Sequence, residues 1–81
     1  MKMMNETELL NVLATNVGIY RKNKGITQEE LSKMLGKNSS YIERLENFKF
    51  KKIPSLDVVY NLTVILEVTF NNLLEERNIE K

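Results

Sequence analysis

A chain of 81 residues, 42% hydrophobic and 28% charged, has the length of one domain and the composition of a protein that folds. It contains no cysteine and no histidine, which excludes disulfides and thiolate or imidazole metal sites and removes the commonest general base. Its formal charge of +1 conceals a gradient: residues 33–52 carry six basic side chains (Lys33, Lys37, Arg44, Lys49, Lys51, Lys52) against Glu43 and Glu46, whereas residues 53–81 carry five acidic against two basic.

No apolar run approaches the ~18 residues needed to cross a bilayer, and the amino end lacks the pattern of a signal peptide. A single soluble, cytoplasmic domain over residues 1–81 is the expectation, with no membrane association. Asn5 followed by Glu8 has the form of a capping box opening a helix that runs to about Asn23, with Leu10, Leu13, Val17 and Tyr20 on one face. Gly25 stops it. Thr27 and Glu30 form a second capping box before a helix with Leu31 and Leu35 inward, stopped by Gly36. Asn38 is the expected cap of a third helix, from Ser39 to about Asn47, with Ile42 and Leu45 inward. Residues 48–54 end at the only proline and read as a loop. Ser55 is expected to cap a fourth helix that carries Leu56, Val59, Leu62, Val64, Ile65 and Leu66. Thr69 should cap a fifth with Phe70, Leu73 and Leu74, before a charged tail at 76–81. The chain therefore reads as an all-α, compact five-helix domain.

Two short helices around a glycine turn, followed by a basic loop, have the pattern of a DNA-binding helix-turn-helix. The stretch Thr27-Gln-Glu-Glu-Leu-Ser-Lys-Met-Leu-Gly36, with Asn38-Ser-Ser-Tyr-Ile-Glu-Arg-Leu-Glu-Asn47, resembles the Cro/repressor-type (XRE-like) helix-turn-helix regulators, whose fold is that of lambda repressor. The likeness covers roughly residues 13–75 and leaves 5–12 as an extension of the first helix.

The resemblance implies a role for each matching position. Ser39, Ser40 and Arg44 fall on the base-reading positions, and Arg44 can present a planar fork to a guanine edge. Gln28, at the start of the second helix, falls on a phosphate-gripping position. Lys37, Asn38, Tyr41, Asn47 and Lys49 lie where relatives touch the flanking phosphates, and Lys51 and Lys52 add charge to the loop. Arg21 and Glu46 match a partly buried ion pair. Ser32 occupies a slot that is usually alanine and is read as a small residue allowing close helix approach. Position 48, usually a glycine that ends the recognition helix, is Phe48 here, so Asn47 is expected to take the left-handed conformation; Phe48 and Phe50 are expected to anchor the loop in the core, the alternative being that one stays exposed as an intersubunit or minor-groove contact.

The apolar Leu9, Ile19, Phe70, Leu73 and Leu74 are candidates for a dimer surface. The expected function is sequence-specific transcriptional regulation by a homodimer on a palindromic operator in double-stranded DNA, as in restriction-modification controller proteins or small phage repressors. No cofactor, metal or small-molecule ligand is expected, and no enzymatic activity. The rival reading is a protein-binding helical module, such as an antitoxin or a regulator inhibitor, that keeps the helix-turn-helix as scaffold.

Overall fold

The helices start where short polar side chains can take up the first free backbone N–H groups. The computed structural model describes residues 3–76, in which α1 (Glu6–Lys24), α2 (Gln28–Met34), α3 (Tyr41–Glu46), α4 (Leu56–Leu66) and α5 (Phe70–Leu74) follow one another with no strand among the described residues. Asn5, Thr27 and Thr69 each accept from the N–H three residues on. Glu8, Glu30 and Asn72 return a bond to the cap's own N–H, completing three capping boxes. Of the charged tail expected at 76–81, only Glu76 lies among the described residues; 77–81 fall outside them.

The nineteen-residue α1 is the spine, packed against α3, α4 and α5, while α2 packs on α3. Leu13 and Val17 of α1, Leu31 of α2, Ile42 and Leu45 of α3, Leu62 of α4 and Leu73 of α5 are fully buried at the centre. Each contributes about 1.5–3 kcal/mol of burial relative to an exposed side chain. Polar side chains are buried with them, among them Asn16. Asn16 is 1% exposed, and its Nδ2 donates to the carbonyls of Leu73 at 2.8 Å and Glu75 at 2.9 Å. It satisfies the carbonyls that the five-residue α5 leaves free at its end and ties that end to the middle of α1.

Expectations about the third helix, the Leu73 and Leu74 surface and the Ser55 cap are corrected. The third helix begins at Tyr41 and ends at Glu46, with Ser40 at the cap position. Asn38 accepts from the Ser40 N–H at 3.2 Å and Ser40 Oγ at 3.0 Å, and its carbonyl accepts from Tyr41 N. Residues 39–40 are thereby held in a turn that precedes the helix. In α4 the buried face is Val58, Val59, Leu62 and Leu66, while Leu56 and Val64 point to solvent with Tyr60 between them. Apolar residues occur nearly all round α4, so their spacing does not select a face. Leu73, a dimer-surface candidate, is wholly inside the monomer, and Leu74 packs against the core. Ser55 makes no capping bond; its hydroxyl donates to Asp57 instead, which holds that carboxyl below its ordinary range.

The ends of α1, α2 and α3 follow one geometry. The N–H groups of Gly25 and Ile26 reach back to Lys22 and Arg21, those of Gly36 and Lys37 to Lys33 and Ser32, and those of Phe48 and Lys49 to Leu45 and Arg44. Each is a Schellman ending, which needs a residue in the left-handed region. Gly25 and Gly36 supply it at φ 74° and 75°. In α3 the expectation about Asn47 fails: Asn47 stays at φ −92°, and Phe48 itself takes φ 60°. A Cβ in that region costs roughly 1–2 kcal/mol. Phe48→Gly is therefore expected to be about 1 kcal/mol more stable than Phe48→Ala. Urea denaturation of the two variants checks this, and equal stabilities would mean that the left-handed backbone is not kept.

Candidate nucleic-acid interface

With Ile42 and Leu45 fully buried, the opposite side of α3 and the loops at its two ends form one continuous exposed surface. Lys37, Asn38, Ser39, Arg44, Asn47, Lys49, Lys51 and Lys52 are exposed on it, while Ser40 and Tyr41 are half-buried. The basic side chains of residues 37–52 are thus exposed rather than neutralised inside. Glu43 is exposed with them, whereas Glu46, the second acidic residue of the segment, is withdrawn into the fold.

The pose of this surface rests on contacts at both ends of α3. At its start, Ser32 Oγ in α2 accepts from the Ile42 N–H at 2.9 Å and donates to the Gln28 carbonyl at 2.8 Å. Ser32 is completely buried. A side chain of α2 therefore caps α3, in place of Ser40, which makes no capping bond. The reading of Ser32 as merely small is incomplete, since alanine would leave that first-turn N–H without this partner.

At the far end, Arg21 and Glu46 meet in a two-pronged pair: Nε to Oε2 at 2.7 Å and Nη2 to Oε1 at 2.9 Å. Their side chains are only 10% and 11% exposed. Arg21 Nη1 donates to the Ile26 carbonyl at 2.9 Å, and Gln28 Nε2 donates to Glu46 Oε1 at 2.8 Å. Gly18 lies directly against the carboxylate, where a Cβ would stand in contact at 3.4 Å from Glu46 Cδ. Gln28, expected to grip a phosphate, thus has part of its amide committed to Glu46; its carbonyl and second N–H are not engaged there.

The outward surface carries an aromatic arrangement that spacing alone did not reveal. Tyr41 and Phe50 meet edge to face with centroids 5.1 Å apart. Lys37 Nζ lies 5.4 Å from the Tyr41 ring centre, and the Arg44 guanidinium 5.4 Å from that of Phe50. These distances suit cation–π attraction, worth about 0.5–1 kcal/mol at an exposed site. Phe50 anchors its loop as expected, but Phe48 is 56% exposed and does not. Burial first, then the charge of Asp57, pushes the Tyr41 phenol above its ordinary value, with Arg44 pulling it back. Tyr41 is thus a neutral hydroxyl donor at physiological pH.

Of the dimer-surface candidates other than Leu73 and Leu74, Phe70 is 46% exposed, and Leu9 and Ile19 are half-buried. The larger apolar exposure lies on α4, where Leu56, Tyr60 and Val64 recur every fourth residue at 72%, 62% and 56%. No described helix is long and apolar enough to cross a membrane.

A family model described as helix-turn-helix matches residues 17–73. No curated protein matches. Among solved structures, a hypothetical transcription factor from Neisseria is similar at 29% identity and a TM-score of 0.76, over 94% of this chain and 85% of that one. The restriction-modification controller protein C.AhdI from Aeromonas hydrophila is similar at 25% identity and a TM-score of 0.68, over 79% and 94% of the two chains. SinR, a master regulator for biofilm formation solved in complex with DNA, is similar at 27% identity and a TM-score of 0.69, over 78% and 98%.

Removing one partner of a buried pair strands the other charge, at a cost of about 3–5 kcal/mol. Glu46→Ala is expected to lower the unfolding free energy by about 3 kcal/mol, measured as a lower urea midpoint at unchanged slope. A loss below ~1 kcal/mol, the range of an exposed pair, would remove Glu46 from its central structural role.

Proposed function

Because this chain belongs to the helix-turn-helix family of DNA-binding transcriptional regulators, we propose that it binds a palindromic operator as a homodimer, with α3 of each subunit in the major groove. Half-sites then lie about one helical turn apart, ~34 Å. One observation carries the reading: Arg44 and the cations of the loops that flank α3 are exposed, while Ile42 and Leu45 of the same helix are buried.

In this reading Arg44 reads a guanine through its two parallel N–H groups, and Ser39 and Ser40 contact neighbouring base edges. The Ser40 hydroxyl already donates to Asn38, so it meets a base as an acceptor. Lys37, Asn38, Tyr41, Asn47, Lys49, Lys51 and Lys52 engage phosphates, together with the free part of the Gln28 amide; these contacts fix register without reading sequence. The second subunit covers exposed apolar surface, for which the Leu56, Tyr60 and Val64 stripe and Phe70 are available. Repression follows where the operator overlaps a promoter.

The test is fluorescence anisotropy with duplex DNA from the protein's own upstream region, across a salt series. If about 3–5 phosphates are neutralised per subunit, the log–log slope of affinity against salt should be about −5 to −9. Arg44→Ala should lose about 1–3 kcal/mol of discrimination between the operator and an unrelated duplex. Binding that ignores salt and is unchanged by Arg44→Ala would favour a protein partner over DNA.

A further inference from the structure

Phe48 is held in left-handed backbone that closes the end of α3, yet its ring stays largely in solvent. Among the described residues, two non-glycine positions have positive φ, Phe48 at 60° and Glu67 at 59°. Glu67 ends α4 and there reaches Lys24 of α1 at 2.8 Å. Phe48 ends α3, and its ring remains 56% exposed; the edge-to-face contact in this region joins Tyr41 to Phe50 and leaves Phe48 out. Strained, exposed and apolar, the residue gains little from its own fold, and such outliers gather where a partner is bound.

The surroundings identify the partner. Phe48 follows Asn47 and precedes Lys49, with Arg44 one turn back and Lys51 and Lys52 just beyond, all exposed. A second copy meeting this patch across a two-fold axis would set two cationic surfaces face to face, which costs binding energy. A polyanion with apolar faces between its charges fits the same patch.

We propose that Phe48 is a DNA-contacting residue, its ring packed on an apolar face of the duplex beside the phosphates engaged by Lys49 and its neighbours. Two faces have that chemistry, the deoxyribose edge and the thymine C5 methyl. The proposal rests on the DNA-binding reading and adds to it a contact that a glycine at this position could not make. The left-handed backbone then presents the ring outward, away from the core that Leu45 enters.

The test begins with a duplex selected by the wild-type protein from a randomised pool; selection of no sequence would overturn the DNA reading and this proposal together. On that duplex Phe48→Ala should bind about tenfold more weakly, ~1.4 kcal/mol, with the salt slope kept and the melting midpoint within about 2 °C of wild type. Phe48→Leu should retain most of the affinity. Replacing thymines by uracil separates the two faces: a penalty seen in wild type and absent in Phe48→Ala assigns the methyl, and no penalty assigns the sugar. The proposal is overturned if Phe48→Ala binds as tightly as wild type. It is equally overturned if the variant melts many degrees lower, or if it shifts self-association without DNA in a sedimentation experiment.

Discussion

The Glu46 carboxylate is the point on which the arrangement of the first three helices turns. Arg21 approaches it from α1 with two N–H groups, Gln28 approaches from α2, and Gly18 lies directly against it. Arg21 also holds the Ile26 carbonyl, so the turn between α1 and α2 is drawn into the same network. A helix of six residues has no stability of its own. The orientation of α3 therefore comes from what grips it, which is this carboxylate at one end and the Ser32 hydroxyl at the other. A buried ion pair is a poor source of net stability compared with apolar packing. Its contribution here is geometrical, because a planar guanidinium accepts a carboxylate in few orientations.

Much of the fold was legible because its signals are local. Asn5, Thr27 and Thr69 act on N–H groups three residues away, and Gly25 and Gly36 act on their own backbone, so a short window of sequence contains cause and effect together. The buried positions of α3 were equally plain, since few apolar residues compete for one face; in α2 Leu31 is buried as expected and Leu35 only half-buried. Misreadings arose where tertiary context decides. In α4 the apolar residues are too many to define a stripe, so the sequence does not separate the exposed Leu56 and Val64 from the buried Val58, Val59, Leu62 and Leu66. Leu73 looked available because nothing near it in sequence announces that Asn16 holds the end of its helix inside.

The candidate interface divides in the same way. Exposure of Arg44 follows from the burial of Ile42 and Leu45 and could be read from helix periodicity. The stacking of Arg44 over Phe50 and of Lys37 over Tyr41 could not, because it requires the path of a loop. Nor could the part-commitment of Gln28 to Glu46, or the conformation of Phe48 where Asn47 seemed better suited. Each depends on a partner or a strain that becomes defined only when the chain has closed on itself.

The capping of α3 by Ser32 bears on how such a surface can change over evolutionary time. Because the helix is fastened from behind, by a serine on α2 and an arginine on α1, the residues that hold it are separate from those exposed at 39, 43, 44 and 47. Substitutions at the outward positions leave the fastenings intact. Mutational drift can thus retune what this face recognises through single steps that are close to neutral for folding, and new specificities are reachable without passing through an unfolded intermediate genotype.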